Sequence, residues 1–254
     1  MNSLLPSAWV AEAMKLRGTL ALALAVFAPV LVVALFCAQM LLAPSPSVPP
    51  AGGEQAWLAL IRGMLALWCF LMLPLYVTLQ AALLANMEHA NQQWKHLLAL
   101  PVPRHQHFLA KGWALGLLSC LSAATLYVGV LLAGYALPWI KPSLGIGGPP
   151  PWQALLGSIV AATAASALMA VLQMFIALRA RSFTVAVGTG MAACVAGFLI
   201  GQSDRFGPLY PWTMPLHTVV QGGAQQWSLA AIGLSAAVLS GGALAYWLGR
   251  YPPE

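Results

Sequence analysis

The sequence has few charged residues. Only 6% of its 254 residues are Asp, Glu, Lys or Arg. With 61% hydrophobic residues and a mean hydropathy of +0.82, the chain has more apolar surface than a soluble domain of this length can bury. The composition therefore excludes a soluble globular domain and predicts an integral membrane protein.

Acidic residues are absent from every long apolar run, so we expect all five to lie outside the membrane spans. The five acidic residues are Glu12, Glu54, Glu88, Asp204 and Glu254. An ion-coupled carrier or a proton pump usually holds its cation or proton with ionisable groups at mid-membrane depth. Because no run offers such a group, the sequence argues against both classes.

Motifs for catalysis and for nucleotide binding are also missing. No lysine follows the glycine pattern of a G-x-x-x-x-G-K-[ST] phosphate loop. Every histidine falls in a predicted loop or interface, so an intramembrane serine would have no histidine base at its own depth. We therefore expect a chain that is not itself catalytic and binds no cofactor. If it moves a substrate uphill, its energy must come from outside, and a separate ATPase subunit is the simplest source.

The cysteines show no metal-binding or redox pattern. They lie in four different apolar runs, with no C-x-x-C pair, at Cys37, Cys69, Cys120 and Cys194. We predict that they are small buried packing residues.

Six apolar runs are long enough to cross a bilayer, which requires about 20 residues each. They cover residues 20–42, 63–85, 112–137, 154–178, 183–200 and 228–248. Pro29 and Pro74 lie inside runs, where a kink is favoured over a break. The sequence thus predicts an all-α membrane protein with six transmembrane helices in a single domain, residues 1–254.

The basic residues predict the orientation of these helices. If the N-terminus is cytoplasmic, eight of the eleven Lys and Arg residues are cytoplasmic and three are outside, namely Arg62, Lys141 and Arg205. This excess fits the positive-inside rule, so we predict a multi-pass protein of the inner or plasma membrane with both termini in the cytoplasm. The basic residues sit singly, which argues against a nucleic-acid surface despite the net charge of +6.

Small residues recur at four-residue spacing in three runs. Such stripes allow close contact between helices, and we favour packing within the chain over a dimer seam. The stripes are Gly112 with Gly116, Gly157 with Ala161 and Ala165, and Gly197 with Gly201.

The polarity of the chain is concentrated in residues 86–111. Apolar residues at offsets of three and four predict an amphipathic helix over residues 87–100, with Trp94, Leu97 and Leu98 on its apolar face. Its polar face has Lys95 but no cluster of cations. Docking into a partner protein is therefore favoured over lying on lipid.

The same segment resembles a known family. Glu88, Trp94-Lys95, "LLALPVPR" and Lys111 are similar to the cytoplasmic coupling segment of type-2 ABC exporter permeases, and among these to permeases of lantibiotic-immunity and bacitracin-export systems. "AEAMKLRGTLALAL" resembles their N-terminal interfacial helix, and "YPWTMPL" their outer segment between the last two spans.

This resemblance implies a permease that pairs with a second permease, identical or related, and with two cytoplasmic ATPases that carry ATP and Mg²⁺. By position, the coupling site facing the ATPase would comprise Glu88, Trp94, Lys95, Leu97, Leu98, Pro101, Arg104 and Lys111.

The outer segment, residues 201–227, is too polar and proline-rich to span the bilayer. The resemblance gives Tyr210, Trp212 and His217 a role in gating or substrate contact. An aromatic belt at the membrane interface is the alternative interpretation.

Four histidines lie within the coupling segment, at His89, His96, His105 and His107. They do not belong to the family pattern. We favour solvated or interface histidines over a metal site, which would require them to converge.

The leading functional hypothesis is the membrane subunit of an ATP-driven exporter of an amphipathic peptide antibiotic or a lipid-like substrate. Such a protein would contribute to lantibiotic immunity or antibiotic resistance and would contact membrane lipids. The alternatives are a membrane scaffold that recruits a cytoplasmic partner, and a membrane metalloenzyme that uses the loop histidines.

Overall fold

The computed structural model describes residues 15, 16, 18–44, 52–89, 104–180 and 182–250, apart from the side chains of residues 88, 89, 104, 105, 107, 248 and 249. This part of the chain is helical, with turns and no strand. The helices are α1 Leu20–Leu42, α2 Glu54–Leu67, α3 Leu73–His89, α4 Arg104–Ile140, α5 Trp152–Ala165, α6 Ala167–Arg179, α7 Phe183–Ile200, α8 Met214–Gln221 and α9 Gly223–Arg250.

The prediction of six membrane spans is confirmed. In the described residues, six helical stretches are long and apolar enough to cross a membrane: Leu20–Leu42, Glu54–Met87, Phe108–Ile140, Trp152–Arg179, Phe183–Ile200 and Gly223–Trp247. The first and fifth spans have the predicted bounds. The other four are longer, because their helices continue past the apolar run into the polar flanks.

The second span departs most from its predicted bounds, since it begins at Glu54 instead of residue 63. One acidic residue thus lies at the end of a membrane span, which corrects the expectation that all five lie outside the spans. The position suits a carboxylate, because the partial positive charge of a helix N-terminus stabilises a negative side chain. Gly53 precedes it with a φ of 74°.

A π-helical turn, Trp68–Met72, joins α2 to α3 within the second span. Pro74 lies two residues after this turn. Proline has no backbone N–H to donate, and its ring clashes with the carbonyl four residues earlier, so a wider turn relieves both problems. In the first span, by contrast, Pro29 lies within one continuous helix.

Helix α3 lies at the centre of the bundle and packs against α1, α4, α6 and α7. Its side chains Val77, Ala81 and Leu84 are fully buried. The C-terminal half of the second span therefore contacts four other helices of the fold.

Close packing through small residues is confirmed for two of the three stripes. A Cβ on Gly201 would lie 3.0 Å from the Thr213 side chain, and a Cβ on Gly157 would lie 3.5 Å from the Trp227 ring. Gly112 and Gly116 differ, because a Cβ on either would meet nothing within 4 Å. The prediction of packing within the chain is thus wrong for this third stripe, which faces open space.

At the opposite end of the bundle from Lys111, Lys141 connects the first and third spans. Its Nζ donates to the carbonyl oxygens of Met40 at 3.0 Å, Leu41 at 3.4 Å and Ala43 at 2.5 Å. These carbonyls belong to the C-terminal end of α1, where the helix itself leaves them without partners. A cation there also interacts favourably with the helix dipole.

Replacing Lys141 with methionine should destabilise the fold by about 1–3 kcal/mol, because it removes hydrogen bonds from a charged donor. Thermal unfolding of the purified protein in detergent measures the loss. Lys141→Arg keeps the charge and several donors, so it should retain most of the wild-type stability. Equal unfolding midpoints for Lys141→Met and wild type would contradict the assigned role.

Candidate functional site

The predicted coupling segment connects the second and third spans. Helix α3 ends at His89 and α4 begins at Arg104. Glu88 and Arg104 occupy these helix ends, with side chains outside the described set. Five further predicted residues lie outside the described part of the chain: Trp94, Lys95, Leu97, Leu98 and Pro101.

Lys111 is the predicted coupling residue whose side chain the structure places. It is only 2% exposed, and its Nζ donates to the carbonyl oxygen of Leu84 at 3.1 Å. A buried cation is costly unless it is hydrogen-bonded or paired, and a position near a helix C-terminus favours positive charge. Lys111 thereby holds the start of the third span against the last turns of the second, at the base of the coupling segment.

Three further polar contacts connect the spans deeper in the bundle. Tyr76 Oη donates to the Leu118 carbonyl at 2.8 Å, and Gln80 Nε2 donates to the Ala21 carbonyl at 2.7 Å. Gln173 Nε2 donates to the Ala186 carbonyl at 2.8 Å. Hydrogen bonds between membrane helices contribute about 0.6 kcal/mol on average. They link the second span to the third and first, and the fourth span to the fifth.

These residues were missed by the sequence analysis. The available signal was the presence of two glutamines within apolar runs, because an amide in hydrocarbon requires a hydrogen-bond partner. The partners themselves are backbone carbonyls, which carry no sequence signature.

A cleft opens between the third, fourth and sixth spans. It has a volume of about 710 Å³ and is lined along α4 from Gly112 to Val128, along α5 and α6 from Leu156 to Val171, and by Leu234 of α9. Gly112 and Gly116 lie on its wall, which accounts for the open space beside them.

A second cleft of about 370 Å³ adjoins the first and shares Gly112 and Val171 with it. It lies between Phe108, Leu178 and Ala245. We call the two together the lateral groove. Among the described residues that line the two clefts, none is Asp, Glu, Lys or Arg.

The outer segment folds onto the end of the fifth span. Tyr210 Oη donates to the Ala193 carbonyl at 2.9 Å, and the Tyr210 and Trp212 rings lie 5.5 Å apart. Thr213 Oγ1 donates to the Gly207 carbonyl at 2.6 Å. The aromatic side chains are therefore held by specific contacts with the fifth span and with each other.

A family model described as ABC-2 family transporter protein matches residues 9–198. The chain belongs to this family. The match takes in the first four spans, nearly all of the fifth and the whole predicted coupling segment. No curated protein matches the chain.

Membership makes this ABC-2 family transporter a transmembrane permease subunit that works with an ABC ATPase. Permeases of the family are typically non-catalytic, and the ATPase is a separate subunit. The coarse prediction of a type-2 ABC permease is thereby confirmed. The closer likeness to lantibiotic-immunity and bacitracin-export permeases stays a prediction, as does pairing with a second permease.

The predicted gating residues of this ABC-2 chain lie together in the outer segment, away from the lateral groove. Trp212 is 8% exposed and Tyr210 is half-buried against Ala193. Nε2 of His217 is buried and has no hydrogen-bond partner among the described residues. Their roles in gating or substrate contact stay predictions, as does the aromatic-belt alternative.

Burial lowers the pKa of His217 below its usual range, and the Gly201 carbonyl and Asp204, which favour the protonated form, offset only part of this effect. The folded state thus holds the neutral imidazole more strongly than the unfolded state does. The resulting stabilisation is fully present above the unfolded pKa of about 6.5 and is lost as pH falls through that value towards the folded pKa.

We therefore expect the unfolding midpoint of the wild type to fall between pH 7.5 and pH 5.5 by more than that of His217→Gln. The other four histidines are the same in both proteins, so any contribution from them cancels in the comparison. Thermal unfolding of both proteins at matched pH values measures the difference. Parallel pH dependence of the two proteins would contradict the role assigned to His217.

The described residues contain no group of three or more His, Cys, Asp and Glu side chains that could hold a metal ion. The side chains of the four histidines around the coupling segment lie outside the described set, so their role stays a prediction. Cys69 is buried, as predicted, and Cys37 and Cys194 are partly buried. Cys120 is exposed and lines the lateral groove, so its prediction as a buried packing residue is wrong.

Proposed function

We propose that this ABC-2 permease subunit serves an exporter that moves an amphipathic peptide antibiotic or a lipid-like molecule out of the membrane. The observation that carries the proposal is the composition of the six spans. Among the described residues, Glu54 is the only acidic residue in these spans, and it is the first residue of its helix. Such an interior suits an apolar or amphipathic cargo better than a coupled cation.

Lateral access supports the same substrate class. The lateral groove is uncharged and borders spans that a molecule dissolved in the bilayer would meet directly. A cargo that partitions into lipid could therefore approach the permease from the side.

Energy for export would come from a cytoplasmic ATPase with its own ATP and Mg²⁺, docked on the coupling segment. Closure of the ATPases would push on this segment, and the hydrogen bond from Lys111 to Leu84 would pass the displacement to both adjoining spans. The excess of basic residues at the Lys111 end supports a cytoplasmic location for both termini. A second permease, identical or related, would complete the assembly.

The test is affinity purification of the tagged chain in mild detergent, followed by reconstitution into proteoliposomes. We expect an ABC ATPase to co-purify, and its ATP hydrolysis to rise when cationic amphipathic antibiotic peptides or lipid-like compounds are added. Recovery of a different cytoplasmic protein with no ATPase would support the scaffold alternative. An ATPase that responds to none of these compounds would overturn the substrate class.

A further inference from the structure

One end of the lateral groove is bordered by an exposed arginine. Arg179 is the last residue of α6 and follows Leu178, which lines the groove. The guanidinium carbon of Arg179 lies 5.4 Å from the ring centroid of Trp247. That ring lies 5.7 Å from Phe175, which also lines the groove. The stack of Arg179, Trp247 and Phe175 places a positive charge beside the mouth of the uncharged lateral groove.

The length of the groove matches the thickness of the bilayer. Its lining on α4 extends from Phe108 to Val128, a distance of about 30 Å at 1.5 Å per residue. The hydrocarbon core of a bilayer is also about 30 Å thick. An apolar chain that entered at the Arg179 end would therefore meet apolar walls over its whole length.

The volume of the groove suits a small flexible ligand. The larger cleft, which extends from Gly112 to Val128 on α4, holds about 710 Å³. Ligand sites in proteins have volumes of about 300–1,000 Å³. The cleft therefore has the volume of a site for one small, flexible molecule.

The charge at the mouth indicates the headgroup. Arginine binds phosphate with two parallel N–H donors, and a tryptophan at the same level suits the membrane interface. Arg179 and Trp247 provide this pair beside the groove. A positive charge at the mouth favours a headgroup with net negative charge over a zwitterionic one.

We propose that the lateral groove binds an anionic phospholipid of the surrounding bilayer, with one acyl chain between α4 and α6 and the phosphate at Arg179. The lipid would fill the cleft that lies between the third, fourth and sixth spans. This binding goes beyond the proposed export function and requires neither an ATPase nor a cargo.

The proposal is tested by photolabelling the purified chain in phosphatidylcholine vesicles. The probes are phosphatidylglycerol and phosphatidylcholine, each with a diazirine in the middle of one acyl chain. We expect labels on peptides covering residues 112–128 and 156–171, about fivefold stronger for the anionic probe, the factor expected for one arginine near the membrane surface.

Filling the groove should abolish most of this labelling. Gly116→Leu places a side chain into the open space, and Gly112→Leu replaces it if the first variant does not elute as a single species in gel filtration. Gly188→Leu is the matched control, because Gly188 on α7 also faces open space but does not line the groove. Labelling that survives in a groove variant that elutes as a single species would overturn the proposal.

The headgroup assignment has its own matched pair. Arg179→Gln should remove most of the preference for phosphatidylglycerol, whereas Arg205→Gln should leave it intact. Arg205 also lies over an aromatic ring, at 5.4 Å from Phe206, but in the outer segment.

Two results would refute the proposed ligand. Equal labelling by the two probes would show that the groove does not select lipids by their headgroup. Efficient cross-linking of Cys120 between two chains by a short bifunctional thiol reagent would show that a second copy covers the groove instead. These measurements involve no ATPase, so they succeed or fail independently of the export proposal.

Discussion

Replacing Gly134 with alanine should destabilise the folded chain strongly, even though alanine is the better helix former by about 1 kcal/mol. A Cβ at this position would lie 2.0 Å from Cζ3 of Trp57 and 2.2 Å from its Cη2. Trp57 is 1% exposed and also packs edge-on against Tyr135, with ring centroids 5.6 Å apart. The indole cannot move aside without repacking the second span against the third, and such overpacking typically costs about 1–3 kcal/mol.

Gly116→Ala provides the matched comparison on the same helix. Its new methyl group would enter the lateral groove, where nothing lies within 4 Å. This variant should therefore unfold at or slightly above the wild-type temperature, while Gly134→Ala unfolds well below it. Thermal unfolding in detergent, with gel filtration to check that each variant is monodisperse, measures both.

A second substitution tests whether Trp57 is the cause. In Gly134→Ala combined with Trp57→Leu, the smaller side chain leaves room for the methyl group, so the two effects should not add. A double variant that loses the full sum of both single losses would show that the destabilisation arises elsewhere.

The six spans were predictable because hydrocarbon imposes a minimum length on any apolar helix. The first and fifth spans end where the apolar run ends, so their bounds followed from composition. The second span could not be bounded in this way. Its helix continues outward to Glu54 because backbone hydrogen bonding does not stop at the edge of an apolar run, and Arg62 lies within it.

The lateral groove could not be predicted from the sequence. Gly157 and Gly116 have the same small-residue spacing, yet the first packs against Trp227 and the second faces open space. What differs is the position of neighbouring helices, which depends on the packing of the whole bundle. The polar contacts of Gln80 and Gln173 show the same limit, since their acceptors are backbone carbonyls of distant helices.

The coupling segment is the part of the candidate site that the resemblance supplied. Lys111, at its edge, is buried and donates a hydrogen bond to the second span, so it connects the second and third spans next to the segment. The positions predicted to face the ATPase stay predictions, and they can be tested directly.

Replacing Leu97 and Leu98 with aspartate should abolish recovery of the ATPase when the tagged chain is purified. In the predicted amphipathic helix both leucines lie beside Trp94 on the apolar face. Docking would bury each new carboxylate without a partner, at a cost of several kcal/mol. Since 1.4 kcal/mol is a factor of ten in affinity, recovery should drop by about tenfold or more.

Asn91→Asp with Gln92→Glu is the matched control for charge. These substitutions add the same two negative charges to the same helix, but on its predicted polar face, so the ATPase should still be recovered. Quantitative mass spectrometry of the eluates gives the ratio of ATPase to permease in each case, and ATP hydrolysis in proteoliposomes provides an independent readout. Undiminished recovery of the ATPase with the aspartate pair, or an equal loss with the control pair, would exclude the apolar face as the docking surface. In either case, the ATPase must contact another part of the permease.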